Sequence, residues 1–115
     1  MTNFDELLIA AAIFLDLTSV GNAHQASSTW AYPPACCKGT ETGGDCQRVP
    51  DGHVTKGRDG FTVLLHPGDH RLVTKKQMFL IPYGDEIPSG DSDFHICLHP
   101  AEDHMNCFFA PPDGF

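Results

Sequence analysis

Short runs in which apolar and polar residues alternate dominate the chain after residue 23, and such runs predict β-strands. In the run 61–65, Phe61, Val63 and Leu65 occupy alternate positions, so we expect them to share one buried face. Further strand-like runs cover 47–50, 54–56, 78–81, 94–98 and 106–110. No 3.6-residue apolar period follows residue 23. We therefore predict a mainly β fold, a small sheet, roll or partly open barrel of about five to six short strands.

Two hairpins are predicted along the chain. Asp59-Gly60 separates the runs 54–56 and 61–65 and supplies residues that tolerate the positive φ of a tight turn. The second hairpin pairs 94–98 with 106–110 across a polar loop. Strand alternation divides the side chains near its start between two faces, Phe94, Ile96 and Leu98 on one and His95, Cys97 and His99 on the other. The first face is expected to be core, and the second to carry chemistry or a disulfide bridge.

The N-terminal residues resemble a secretory leader. The apolar run 7–15 precedes Gly21 and Ala23, which occupy the −3 and −1 positions of a signal-peptidase site. The run is too short to cross a bilayer as a helix. We predict a signal peptide over residues 1–23 and one small β-rich domain over 24–115. Because acidic residues stand where a leader normally carries basic ones, an ordinary N-terminal helix of a cytosolic protein is the alternative.

Five cysteines predict disulfides that staple a small core, each contributing about 2–4 kcal/mol. Cys97 and Cys107 face each other across the predicted C-terminal hairpin, so we expect them to bond. A second bridge would join Cys46 to Cys36 or Cys37 and leave one free thiol. The alternative ties the Cys36-Cys37 region to the C-terminal hairpin and closes the domain end to end. Either framework favours a periplasmic or secreted location.

The cysteines lie within several short motifs along the chain. The relevant segments are the leader, Tyr-Pro-Pro-Ala-Cys-Cys at 32–37, Asp45-Cys46, Phe-Leu-Ile-Pro-Tyr at 79–83, and His95-Ile-Cys97 followed by Cys107-Phe-Phe-Ala-Pro-Pro. On these segments the chain resembles uncharacterised small exported proteins of proteobacteria with a Cys-Cys…Asp-Cys…His-x-Cys…Cys pattern. The resemblance covers most of residues 30–112. It implies export and a shared cysteine framework, and it carries no activity, cofactor or catalytic residue.

The charge of the chain argues against two classes of partner. The formal net charge is −8, and the seven Lys and Arg residues are scattered. Such a chain has no basic stripe for a nucleic-acid backbone and little attraction for an anionic membrane. The expected partner is therefore an envelope protein or a small ligand of unknown identity.

No sequence motif predicts catalysis. There is no Gly-x-Ser-x-Gly nucleophile motif, no glycine-rich phosphate loop opening a helix, and no pair of Cys-x-x-Cys zinc motifs. The leading interpretation is a non-catalytic binding or structural module of the cell envelope, with no catalytic residues and no required cofactor. The alternatives are a copper- or zinc-binding periplasmic protein and an unassigned hydrolase.

Histidines supply the candidate ligands for the metal-binding alternative. His95 and His99 lie four residues apart, which is about 13 Å along a straight strand, so they chelate one ion only if the chain bends. His66 and His70, within a Pro-Gly turn, form the better local pair. His24, at the predicted mature N-terminus, would combine its imidazole with a free amine, a strong chelate for copper.

Overall fold

The structure, a computed structural model, describes residues 26, 30–37 and 45–112. Within these ranges the strands are β1 (Cys46–Val49), β2 (Val54–Lys56), β3 (Gly60–Leu65), β4 (Gln77–Pro82), β5 (Ile87–Pro88), β6 (Phe94–Leu98) and β7 (Met105–Ala110). One turn of 3-10 helix, Asp51–His53, precedes β2. The predicted mainly β fold is therefore confirmed. The predicted signal peptide at 1–23 lies outside the described residues.

The strands form two sheets. One has the order β1-β6-β7-β5, and the other has the order β2-β3-β4. Both predicted hairpins are present, because β2 pairs with β3 and β6 pairs with β7, each antiparallel. The sequence did not predict β5, which pairs in parallel with β7 through Ile87 and Pro88. A two-residue strand that contains proline and lies among turn residues has no alternation to reveal it.

The turn of the first hairpin differs from the prediction. Neither Asp59 nor Gly60 has a positive φ, and the positive-φ glycines of the described residues are Gly68 and Gly84. Gly60 is instead required by close packing, since a Cβ atom there would overlap the carbonyl oxygen of Ile81 on β4. The sequence thus located this hairpin correctly and assigned its turn conformation wrongly.

The core lies on both faces of β6. Phe94, Ile96 and Leu98 enter a cluster that also contains the buried faces of β3 and β4. Cys97 belongs to a second cluster, which Tyr32 closes from the N-terminal segment. The predicted alternation is confirmed, but every residue of β6 is buried. The second face is covered because residues 30–37 pack across it.

The disulfides differ from the predicted pairing. Cys46 bonds to Cys97 across β1 and β6, and Cys36 bonds to Cys107. The predicted bridge from Cys46 to Cys36 or Cys37 is therefore wrong, and the alternative that ties the Cys36-Cys37 region to the C-terminal hairpin is present as Cys36–Cys107. Cys37 is the free cysteine. Cys97 is indeed the register partner of Cys107, as the hairpin predicted, but it is equally the register partner of Cys46 on the other side. The predicted Cys97–Cys107 bond is wrong because β6 is a central strand, and sequence alone does not reveal which neighbour its cysteine joins.

Candidate metal centre

Two histidines and one carboxylate converge beside the β2–β3 hairpin. His53 ends the 3-10 helix before β2, and His66 directly follows β3. Because Val54 pairs with Val63, extending the register by one residue brings His53 beside Leu64 and so close to His66. Asp69 completes the group from the following turn. One ligand atom of each of the three residues lies within 4.8 Å of the other two.

The spacing of these atoms suits a small divalent ion. Nδ1 of His53 lies 3.4 Å from Oδ2 of Asp69, and Nδ1 of His66 lies 3.5 Å from the same oxygen. Two ligands of a tetrahedral ion with bonds of about 2.0–2.1 Å are about 3.3–3.4 Å apart. These two separations match that value, and the third pair of ligand atoms, on His53 and His66, lies within 4.8 Å.

Local hydrogen bonds hold the side chains of Asp69 and His53 and the backbone at His66 in place. The backbone N–H of His66 donates to Oδ2 of Asp69 at 2.7 Å, and the N–H of Asp69 donates to the His66 carbonyl at 2.9 Å. Gly68, with φ of 98°, provides the left-handed residue that this tight turn requires. His53 donates from Nδ1 to the Leu64 carbonyl at 3.1 Å. An ion bound at that nitrogen would replace this hydrogen bond and move the ring proton to Nε2. Because an imidazole that is protonated on both nitrogens cannot bind the ion, binding should strengthen as the pH rises.

The predicted pairing of His66 with His70 is not present. His70 is buried, its Nε2 donates to the Asp45 carbonyl at 2.9 Å, and its Nδ1 accepts from the Leu72 N–H at 3.1 Å. Both ring nitrogens are therefore occupied by the protein. Burial lowers the pKa of His70, which keeps the ring neutral. His70 is a structural histidine that attaches the loop after β3 to residue 45.

The predicted pairing of His95 with His99 is also absent. His95 is buried, with Nδ1 accepting from the Tyr32 hydroxyl at 2.8 Å and Nε2 donating to Asp91 at 3.0 Å. His99 is half-exposed, and its Nδ1 lies 3.3 Å from Oδ2 of Asp45. The two imidazoles thus contact different carboxylates, His95 that of Asp91 and His99 that of Asp45. His24 lies outside the described residues.

The Tyr32, His95 and Asp91 network resembles a proton relay in composition, but it lies within the second core cluster. Burial, followed by the charge of Asp91, raises the pKa of Tyr32 to about 12. Burial would raise the pKa of Asp91, but hydrogen bonds from Trp30 and His95 outweigh it and bring that pKa to about 2. Trp30 and Phe109 pack against the His95 ring. With Tyr32 and His95 at 4% and 1% exposure, these two members of the network are core residues, and the partly exposed Asp91 carries it to the surface.

A cavity of about 320 Å³ lies at the other end of the β2–β3 hairpin. The residues that line it are Gly57, Arg58, Asp59, Gly60, Phe61, Thr62, Leu80, Ile81 and Pro82. This lining contains no histidine, cysteine or serine, and the polar side chains in it are Arg58, Asp59 and Thr62. No cluster of three candidate metal ligands among the described residues includes any of them.

Of the three residues at this site, His66 was predicted from the sequence as a metal ligand, whereas His53 and Asp69 were not. The signal was present in the hairpin register, since a strand pair centred on residues 57–60 places position 53 beside position 64.

Comparison with protein-family models, curated proteins and solved structures found no match. In the described part of the chain, no helix has the length and apolarity needed to cross a bilayer.

Proposed function

We propose that this chain is a non-catalytic domain of an oxidising compartment that binds a divalent transition metal at His53, His66 and Asp69. The convergence of two imidazoles and one carboxylate within 4.8 Å carries the proposal. Three protein ligands leave a fourth position for water or for a group from a partner. Imidazole and carboxylate ligands suit both zinc and copper(II), and the general affinity order places copper(II) first.

The cysteines support the proposal that the protein resides in an oxidising compartment. Two disulfides are typical of proteins that fold outside a reducing cytosol. Export by a signal peptide over residues 1–23, to the periplasm or the exterior, is the route we propose. The resemblance to small exported proteobacterial proteins supports that route, and N-terminal sequencing of the native protein tests it. Recovery of a Met1 or Thr2 N-terminus from the soluble cytosol would exclude cleavage.

Calorimetric titration with zinc and copper(II), on protein purified without a histidine tag, tests the metal site. We expect a dissociation constant below about 10 μM, a binding free energy stronger than about −7 kcal/mol. His66→Ala should weaken binding at least ~10-fold, because it removes one of three ligands. His104→Ala is the matched control, since His104 is an exposed histidine in the loop between β6 and β7.

Two further variants separate this site from competing ones. Cys37→Ser removes the free thiol, and His24→Ala removes the imidazole of the N-terminal chelate that copper could use. Neither change should affect the zinc affinity of the His53 site. The proposal is wrong if His66→Ala and His104→Ala bind zinc equally well, or if no titration shows binding tighter than about 10 μM.

A further inference from the structure

Three cysteines lie in register across three neighbouring strands. Cys46 on β1 faces Cys97 on β6, and Cys97 in turn faces Cys107 on β7. The free thiol of Cys37 lies at the β1 end of this row, with its Sγ within 4.8 Å of Cys46 Sγ. A free thiol therefore lies beside one sulfur of an existing disulfide.

A buried carboxylate lies in the same cluster. One oxygen of Asp45 is within 4.8 Å of both sulfur atoms. The residue is 2% exposed, and neither of its carboxylate oxygens makes a hydrogen bond of good geometry within the described residues. A buried carboxylate with so few donors is costly, and the Cys37 thiol lies beside it as a proton donor. His99 faces the carboxylate from the loop after β6, with Nδ1 3.3 Å from Oδ2. His70 and Arg71 approach from the loop after β3, where they donate to the backbone carbonyls of Asp45 and Cys46.

We infer that Cys37 is the nucleophile of an internal thiol–disulfide exchange. The Cys37 thiol gives its proton to Asp45, and the thiolate attacks Cys46 Sγ. The Cys46–Cys97 bond breaks as the Cys37–Cys46 bond forms, and Cys97 leaves as a thiolate that takes up the proton. One S–S bond replaces another, so the step consumes no oxidant or reductant.

The exchange would move the free thiol from a half-buried position to a fully buried one. Cys37 is partly exposed, whereas Cys97 has no exposed surface. In the product the N-terminal segment is attached to β1 through Cys37 as well as to β7 through Cys36. The protein would thus alternate between a form whose thiol is accessible to a partner or oxidant and a form whose thiol is hidden in the core.

Peptide mapping under non-reducing conditions tests the exchange. The full-length, oxidised protein is incubated at pH 8, and samples are quenched with acid over one day before digestion, with fragmentation spectra to distinguish Cys36 from Cys37. We expect a Cys37–Cys46 peptide to appear at a rate that does not depend on protein concentration. Onward transfer from Cys97 to its register partner Cys107 also supports the inference, since it begins from the same released thiol.

Variants identify the nucleophile and the proton acceptor. Cys37→Ser should abolish every pairing other than Cys46–Cys97 and Cys36–Cys107. Asp45→Asn preserves the shape of the side chain and leaves an amide oxygen to face His99. It should slow the exchange at least ~10-fold at pH 7 and less at pH 9, where the solvent removes the thiol proton. A double variant, Cys36→Ser with Cys107→Ser, isolates the first step and should still yield both Cys46–Cys97 and Cys37–Cys46.

Three results would overturn the inference. The first is a wild-type protein that keeps its original two disulfides after one day at pH 8. The second is an exchange rate that rises in proportion to protein concentration, which indicates transfer between molecules. The third is an unchanged pattern of new pairings in Cys37→Ser. An Asp45→Asn rate equal to or above the wild-type rate at pH 7 would remove Asp45 as the proton acceptor.

Discussion

The hydrogen bond between Tyr32 and His95 makes a strong prediction about stability. Both residues are almost fully buried, and the Tyr32 hydroxyl donates to Nδ1 of His95 at 2.8 Å. Because Nε2 of the same ring donates to Asp91, Nδ1 is the acceptor nitrogen in the matching neutral tautomer. Tyr32→Phe removes the donor while preserving the aromatic packing. It leaves a buried acceptor without a partner, at a cost of about 1–3 kcal/mol in the free energy of unfolding.

Tyr83→Phe is the matched control. Tyr83 is partly exposed, and its hydroxyl donates to the Gly57 carbonyl at the surface, where water can replace it. The change should cost no more than about 0.5 kcal/mol. Equilibrium unfolding in urea, with the disulfides intact, compares the two variants. If Tyr32→Phe lies within about 0.5 kcal/mol of Tyr83→Phe, His95 obtains another donor and the reasoning fails.

Three further predictions follow from buried or crowded positions. The pKa of His70 is lowered mainly by burial, so the unfolded chain binds a proton at this residue more readily than the folded one. The free energy of unfolding should therefore fall as the pH drops below about 6.5, by at most about 1.4 kcal/mol per pH unit. His70→Gln should reduce this pH dependence in urea unfolding experiments. Asp91, with a pKa of about 2 in the folded state, should contribute stability above pH 4 that is lost as the pH falls from about 4 to 2. Acid unfolding of Asp91→Asn, compared with that of Asp93→Asn, should show no such loss if the assignment is right. Gly60→Ala should lower the melting temperature far more than Gly52→Ala, because a Cβ at Gly60 meets the backbone of Ile81 whereas one at Gly52 meets open space.

The sequence predicted the strands well because alternation is a local signal. The alternation at Phe61, Val63 and Leu65 and at Phe94, Ile96 and Leu98 matches the buried faces of β3 and β6. The division into two sheets was not predictable, since it depends on which strands pair over long distances. The same limit explains the disulfides, because Cys97 has a register partner on each side and only the strand order shows that β1 supplies one of them.

The histidines show a different limit. A histidine in a sequence carries no mark of burial, and two of the predicted ligands, His70 and His95, are core residues whose nitrogens are already hydrogen-bonded. Sequence spacing favoured His66 with His70 because they are close along the chain. The structure instead brings His66 to His53, thirteen positions earlier, because a hairpin reverses the chain between them. The closeness of His53 and His66 follows from the register of the β2–β3 hairpin. The sequence predicted that hairpin, but the choice of candidate metal ligands did not take its register into account.

The loop after β3 connects the proposed metal site to the proposed exchange site. Asp69 belongs to the metal group, and its neighbour His70 donates to the carbonyl of Asp45. The next residue, Arg71, donates from Nη2 to the carbonyl of Cys46 at 2.9 Å. Three consecutive side chains therefore run from the candidate ion to the backbone of the disulfide that Cys37 would attack. If an ion that orders Asp69 restrains the segment that moves in the exchange, then by reciprocity the exchange would change the affinity for the ion by the same factor.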